Sequence, residues 1–363
     1  MSSILFTGFP GMLGSELLPR VVLRSPGASV ACLVQRKYAR LAKSRLEQIG
    51  LSHPEVPSRV QLVEGDITLA DLGLGERAGD LSSQTTEIYH LAAIYDLAVK
   101  RELAFRVNVL GTRHLLAFAD ACPALARFHY MSTCYVSGRY SGIFAEGDLG
   151  KGQEFNNSYE ETKFLAEVDV QERMGRGLPA TVYRPSIVVG DSRTGETQKY
   201  DGPYPVIRWM LRQPRLAIMP VVGRPHQVRA NFVPRDFVVD AVAYLSGLPH
   251  SVGRVYQLAD PEPPTMAEVL RGLARATGKR LIHVRVPGAL ARWALEEVPG
   301  LQRVVGASAE MLDYFVHPTH YTTFHTQADL EGSEIRVPRL SDYVDRLVAF
   351  VRDHPEIGSE AMA

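Results

Sequence analysis

Cysteine is scarce in this chain, and net charge and long apolar runs are missing. Only Cys32, Cys122 and Cys134 occur in 363 residues, with neither CxxC nor metal-ligand spacing. That excludes a disulfide framework and a thiolate metal centre. Their apolar neighbours mark them as buried, reduced thiols of a cytoplasmic protein. Lys plus Arg total 40 and Asp plus Glu total 40, for a formal net charge of zero. This balance argues against nucleic acid as a partner. No apolar run is long enough to cross a bilayer, so no integral membrane segment is expected. "MSSILFTGFPG" reaches Gly and Pro with no charged lead-in, so no signal peptide is expected either. A GxSxG elbow is lacking, which removes the commonest hydrolase reading. His317, His320 and His325 in "HPTHYTTFH" have no cysteine or regularly placed carboxylate to complete a metal site. They read as loop histidines near a substrate cleft.

What is present points to an ordered globular protein. The chain is 45% hydrophobic and 22% charged, with 30 Gly and 23 Pro; that length allows one large core, or two domains around a cleft. The runs "SILFTG", "ASVACLV", "RVQLVEGD", "EIYHLAA" and "RFHYMST" alternate with helical patterns. In Glu102–Cys122, for example, Leu103, Val107, Leu110, His114, Leu115 and Phe118 recur at spacings of three or four. Strands that are apolar throughout are buried on both faces. The expected fold is therefore α/β, a Rossmann-like doubly wound parallel sheet. A further strand, residues 180–190, carries a proline, and beyond it the alternation weakens. Residues 1–190 are expected to form the cofactor-binding domain. Residues 191–363 are expected to form a smaller, partly discontinuous substrate-binding portion, with segments around 230–260 returning to the first domain. The segment 287–301 reads as an amphipathic helix facing the core rather than a membrane surface.

"ILFTGFPGMLGSELL" places Gly8, Gly11 and Gly14 between a hydrophobic strand and an amphipathic helix. One glycine permits the tight turn, the next lets backbone approach a pyrophosphate, and the last lets helix pack on strand. The spacing is GxxGxxG rather than GxGxxG. Pro10, Met12 and Leu13 share this turn and are expected to border the cofactor. After the second strand the sequence offers Arg36 and Lys37, then Arg45, where a cofactor lacking a 2′-phosphate would call for an acid. A guanidinium suits a phosphate dianion, so NADP(H) is expected over NAD(H). Asp66 and Ile67 in "EGDIT" would meet adenine, and small Ala92 and Ala93 in "HLAAIYD" would let backbone lie close to the cofactor. All these positions follow strand ends, where open α/β sheets bind ligands.

Tyr159 and Lys163 in "NNSYEETKFLAE" stand four apart, so one helical turn separates them. An ammonium there would lower a phenol's pKa, although the same spacing also arises on ordinary solvated helices. In order along the chain, "TGFPGMLG", "GDIT", "HLAA", "NVLGT", "HYMSTCYVSG", "YEETK" and "YRPSIVVGD" resemble the extended short-chain dehydrogenase/reductase superfamily. Among its members the chain is most similar to the fatty acyl-CoA reductase and thioester reductase group of male-sterility type. The resemblance covers roughly the first half, with a looser likeness in "MLDYFVHPTHYTTFHT". It implies a catalytic trio of Thr133, Tyr159 and Lys163, with Ser132 as the adjacent alternative to Thr133. Tyr159 would act as general acid, and Lys163 would also bind the nicotinamide ribose. Pro185, Ser186 and Ile187 would wall the nicotinamide, and Asn108 would be structural or relay water.

The implied activity is NADPH-dependent reduction of an acyl thioester, on CoA or on a carrier, or of its aldehyde, yielding aldehyde or alcohol. The alternatives are a sterol-type hydroxyl dehydrogenase, a nucleotide-sugar epimerase, or a non-catalytic NADP sensor. A homodimer through two helices per subunit is a further expectation. Arg208, Arg212, Arg215, Arg224 and Arg229 could meet phosphates of the thiol carrier or simply face solvent. Trp209, Met210 and Leu211 could line an acyl pocket or pack in the core.

Overall fold

A computed structural model describes residues 3–302, 309 and 311–358. In chain order its strands begin with β1 (Ser3–Thr7), β2 (Ser29–Val34), β3 (Val60–Glu64), β4 (Thr85–His90), β5 (Arg127–Met131) and β6 (Gly142–Phe144). There follow β7 (Ala180–Pro185), β8 (Ile187–Val189), β9 (Leu216–Val221), β10 (Phe232–Pro234), β11 (Val255–Leu258), β12 (Arg280–Arg285) and β13 (Thr319–Tyr321). The main sheet has seven strands in the order β11-β7-β5-β4-β1-β2-β3. Every pairing in it is parallel. The order reverses beside β1, which is the topological switch point of a doubly wound fold.

Alternation along each strand sorts its side chains to two faces. Ile4 and Phe6 of β1, with Val30, Cys32 and Val34 of β2, join the helices Met12–Arg24 and Arg235–Leu245 in one core. Leu5, Ala31 and Leu33 join the helices Gly111–Asp120 and Ser158–Gly175 in another. The three cysteines are buried and free. The expected strand 180–190 breaks at Ser186 into β7, in the main sheet, and β8, which pairs with β10. Part of the expected helix from Glu102 winds as a π-helix over Phe105–Leu110.

A third core gathers the helices Tyr204–Arg212, Met266–Thr277 and Leu340–Asp353 around Ala217, Met219 and Val221 of β9. Met210 belongs to it, whereas the Trp209 indole donates to Ile218 O at 2.9 Å. The helix Gly288–Glu297 departs from expectation. Leu290 and Trp293 are exposed and only Leu295 is buried, so its apolar face does not turn to the core. Among the described residues no helix is long and apolar enough to cross a membrane.

Candidate active site

The carboxyl ends of β1, β2, β3, β4, β5 and β7 open into one cleft of about 1030 Å³. Its wall at β1 is the glycine turn. Gly8 adopts φ +93°, and a Cβ there would lie 2.9 Å from Ala92 N. A Cβ on Gly11 or Gly14 would lie 2.8 or 2.5 Å from Gly8 O. Strand, turn and helix thus touch with no room for side chains, leaving backbone amides at a helix N-terminus to face an anion. Thr7 steadies the neighbouring strand end: its Oγ1 accepts from Ala92 N at 3.2 Å and pairs with His90 Nδ1 at 2.9 Å. Burial holds His90 at a pKa of about 3, so it stays neutral.

Pro10, Met12, Leu13, Arg36, Lys37, Asp66, Ile67, Ala92 and Ala93 all line this cleft, as do Pro185, Ser186 and Ile187. Arg45 does not. It sits within the helix Ala39–Ser52, which carries it away from the strand ends. The Asp66 carboxylate accepts from Gln35 Nε2 and from Thr68 N, both at 2.8 Å. Arg36 and Lys37 stand exposed on a short 3-10 turn directly after β2.

Thr133, Tyr159 and Lys163 line the same cleft. Asn157 caps the helix Ser158–Gly175 by accepting from Glu160 N at 3.0 Å, which sets Tyr159 in the first turn. Asn108 Oδ1 accepts from Ile94 N at 2.9 Å, and its Nδ2 donates to Thr162 Oγ1 at 3.0 Å. It therefore ties the loop after β4 to that helix. Ser132 Oγ donates to Glu167 Oε2, and this bond takes it away from the phenol. Thr133 remains, its Oγ1 accepting from Tyr135 N and donating to Pro185 O at 3.3 Å.

The charge relation between Tyr159 and Lys163 is not the one expected. Burial pushes the Tyr159 phenol above its usual range, while a hydrogen bond with Thr133 pulls it back. Lys163 Nζ donates to Tyr130 Oη at 3.0 Å and to Met131 O at 2.7 Å. Burial lowers Lys163 to about 7, against the opposing pull of Glu167. The Lys163 ammonium donates to β5 rather than to the phenol, and burial sets the direction of the Tyr159 shift.

Several wall residues escaped the sequence reading. Tyr95 meets Tyr159 edge-on, with ring centroids 4.9 Å apart. Lys199 lies over the Tyr95 ring at 4.7 Å and donates to Tyr95 O at 3.2 Å. Tyr314 Oη donates to Glu160 Oε1 at 2.8 Å, and its ring packs edge-on against Tyr135 at 4.9 Å. Tyr95 and Tyr135 lie inside quoted motifs, so their signal was there; Lys199 had none. His317 and His320 line the cleft and His325 does not. No group of His, Cys, Asp or Glu fit for a metal occurs among the described residues. Of the five arginines noted beyond residue 200, only Arg229 reaches the cleft.

Residues 6–242 match the NAD-binding family described as male sterility protein. The nonribosomal peptide synthetase asaC of Aspergillus flavus is 28% identical over 72% of this chain. The aldehyde reductase lnbA of the same organism is 26% identical over 71%. This chain spans 26% of the length of each of them. The crystal structure of the terminal R domain from the myxalamid PKS-NRPS biosynthetic pathway superposes with a TM-score of 0.83 at 27% identity, covering 99% of this chain and 92% of that one. The chain belongs to the male sterility protein family and is an NAD(P)-dependent oxidoreductase of the extended short-chain dehydrogenase/reductase type.

Proposed function

We propose that this chain reduces acyl thioesters with NADPH, releasing a thiol and an aldehyde that is open to a second reduction. The observation that carries the reading is one cleft lined by Thr133, Tyr159 and Lys163, by the glycine turn and by an apolar lobe. That lobe includes Val206, Phe232, Met266 and Leu270, all buried. An apolar wall favours an acyl chain over a sugar. The similarity to asaC and to the myxalamid R domain supports a thioester, and the similarity to lnbA supports an aldehyde.

A dinucleotide fits the residues present. The turn Gly8–Gly14 excludes any Cβ and would hold the pyrophosphate; Ile67 and Asp66 would meet the adenine. Arg36 and Lys37 would grip a 2′-phosphate, which is the ground for NADPH over NADH. When bound, the nicotinamide supplies hydride to the carbonyl carbon. Thr133 and Tyr159 would hold the carbonyl oxygen between two hydroxyls, and Tyr159 would give it a proton as negative charge develops there. The buried Lys163 ammonium supplies positive charge one turn behind the phenol. Buried surroundings keep water from competing for the oxygen.

The test is NADPH oxidation with octanoyl-, decanoyl- and dodecanoyl-CoA and with the pantetheine thioesters of the same acids. Thiol release in step with NADPH loss is expected. Oxidation of NADPH by aldehydes alone, with no thiol from any thioester, would replace this reading with aldehyde reduction.

A further inference from the structure

Tyr314 and Phe315 are neighbours in sequence and both line the cleft, yet different elements hold them. Tyr314 Oη donates to Glu160 Oε1 at 2.8 Å and accepts from Asn157 Nδ2 at 3.1 Å. Both partners belong to the start of the helix Ser158–Gly175: Asn157 is its cap, and Glu160 directly follows Tyr159. Phe315 packs instead against the third core, which includes Val206, Phe232, Met266 and Leu270 of the apolar lobe. One peptide bond therefore joins the turn that carries the phenol to the lobe proposed for the acyl chain.

Glu160 is a costly anchor. It is wholly buried, no cation pairs with it among the described residues, and burial pushes its carboxyl above the usual range. Asn156 N and Nδ2 donate to its Oε2 at 2.9 and 3.0 Å. A buried carboxylate must keep its donors, so the requirement that fixes Glu160 also fixes the Tyr314 hydroxyl. Farther along the same wall, β13 pairs with β6, and Tyr321 Oη bonds Ser137 Oγ at 3.0 Å and His317 Nε2 at 2.7 Å. Those bonds hold the wall to the loops after β5. Among the described residues, Tyr314 alone joins residues 311–321 by hydrogen bonds to the Tyr159 helix and its cap. Glu160 itself does not line the cleft, so it acts through Tyr314.

We propose that Glu160 and Tyr314 are positioning residues that set the register between the Tyr159 hydroxyl and the apolar lobe, so that an acyl chain seated in the lobe brings its carbonyl to the phenol. The inference rests on the thioester reading above. Contacts to a remote part of a substrate raise turnover only where they are passed to the reacting centre as orientation. A fixed link between lobe and phenol does this for a long chain. A two-carbon acyl group is too short to fill the lobe and gains nothing from the link.

The readout is the ratio of kcat/KM for dodecanoyl-pantetheine over acetyl-pantetheine. Tyr314→Phe keeps the ring against Tyr135 and removes only the hydroxyl. The ratio is expected to fall about tenfold or more, mainly through kcat on the long chain. That variant also leaves a buried carboxylate one donor short. The double variant Glu160→Met with Tyr314→Phe removes both partners, and should show the same fallen ratio with a melting curve nearer to wild type. NADPH affinity reports that the cofactor site is kept. An unchanged ratio in either variant overturns the proposal, whatever the separate rates do, because equal loss on both substrates assigns the pair to the fold or to the chemistry of Tyr159 alone. Should the unmodified protein reduce no thioester, the reductase reading falls by itself. Calorimetric titration of the NADPH complex with dodecan-1-ol then decides the register. Binding about tenfold weaker in Tyr314→Phe supports it, since chain and hydroxyl no longer fit their sites together; equal binding overturns it.

Discussion

Glu167 and Arg184 form an ion pair with neither side chain exposed, Arg184 Nη2 to Glu167 Oε1 at 2.6 Å. The carboxylate also accepts from Ser132 and from Gln171 Nε2, and the guanidinium donates to Asp148 O at 2.8 Å. Ser132 precedes Thr133, Arg184 precedes Pro185, and Glu167 lies one turn beyond Lys163. One buried pair therefore braces three pieces of the cleft wall. Glu167→Gln leaves a buried guanidinium without its countercharge and is expected to cost about 3–5 kcal/mol, read as a fall in denaturant midpoint. Glu167→Leu combined with Arg184→Met should recover most of that stability. Recovery of stability without recovery of turnover would show that the pair serves geometry more than fold.

Tyr159→Phe deletes the hydroxyl and little else. Turnover is expected to fall by roughly two to four orders of magnitude, with NADPH affinity changed by less than about threefold, as measured by fluorescence titration. Full turnover in this variant would remove Tyr159 from the chemistry.

Lys163 makes stability depend on pH. A free lysine keeps its proton up to about 10.5, whereas the buried one releases it near 7. Between those values the unfolded chain binds more protons, so stability rises with pH across the window. Below pH 7 both states are charged and the cost of burying the ammonium is complete. Lys163→Met abolishes this dependence. The difference in unfolding free energy between variant and wild type should favour the variant most at pH 6. It should then shrink by up to about 1.4 kcal/mol per pH unit as pH rises toward 10. A difference that stays flat with pH would show that Lys163 is not desolvated.

Gly14→Ala puts a Cβ 2.5 Å from Gly8 O and 3.2 Å from Phe9 N. Both neighbours are backbone, so the turn itself must shift. A cost of about 1–3 kcal/mol in stability is expected, with NADPH affinity falling at least about tenfold. Unchanged affinity would mean that this turn does not hold the pyrophosphate.

Arg36→Ala tests cofactor choice. Loss of a charged hydrogen bond to a 2′-phosphate is worth about 1.5–3 kcal/mol, so NADPH should weaken at least about tenfold while NADH stays within about twofold. Equal weakening of both would assign Arg36 elsewhere.

Much of the fold was legible because burial on two faces leaves its mark in one dimension. The centres of β1 and β2 read as unbroken apolar runs, and the glycine spacing between β1 and its helix announces a close approach of backbones. Tyr159 and Lys163 were legible through the order of several motifs along the chain. The helix Gly288–Glu297 was misplaced, since periodicity shows that a face is apolar and not what covers it. Arg45 was misassigned for a related reason: charge after a strand end was visible, but not how far the helix would carry it.

The amino-acid order by itself determined the buried strands β1 and β2, the turn at β1 and the placing of Tyr159 one helical turn from Lys163, because each depends on neighbours within a few positions. Tertiary structure alone decided that Lys163 turns to Tyr130 and Met131, that Tyr95 meets Tyr159 edge-on, and that Tyr314 reaches Glu160. Those relations join residues tens to hundreds of positions apart, and only packing brings them within reach of a hydrogen bond or a ring contact.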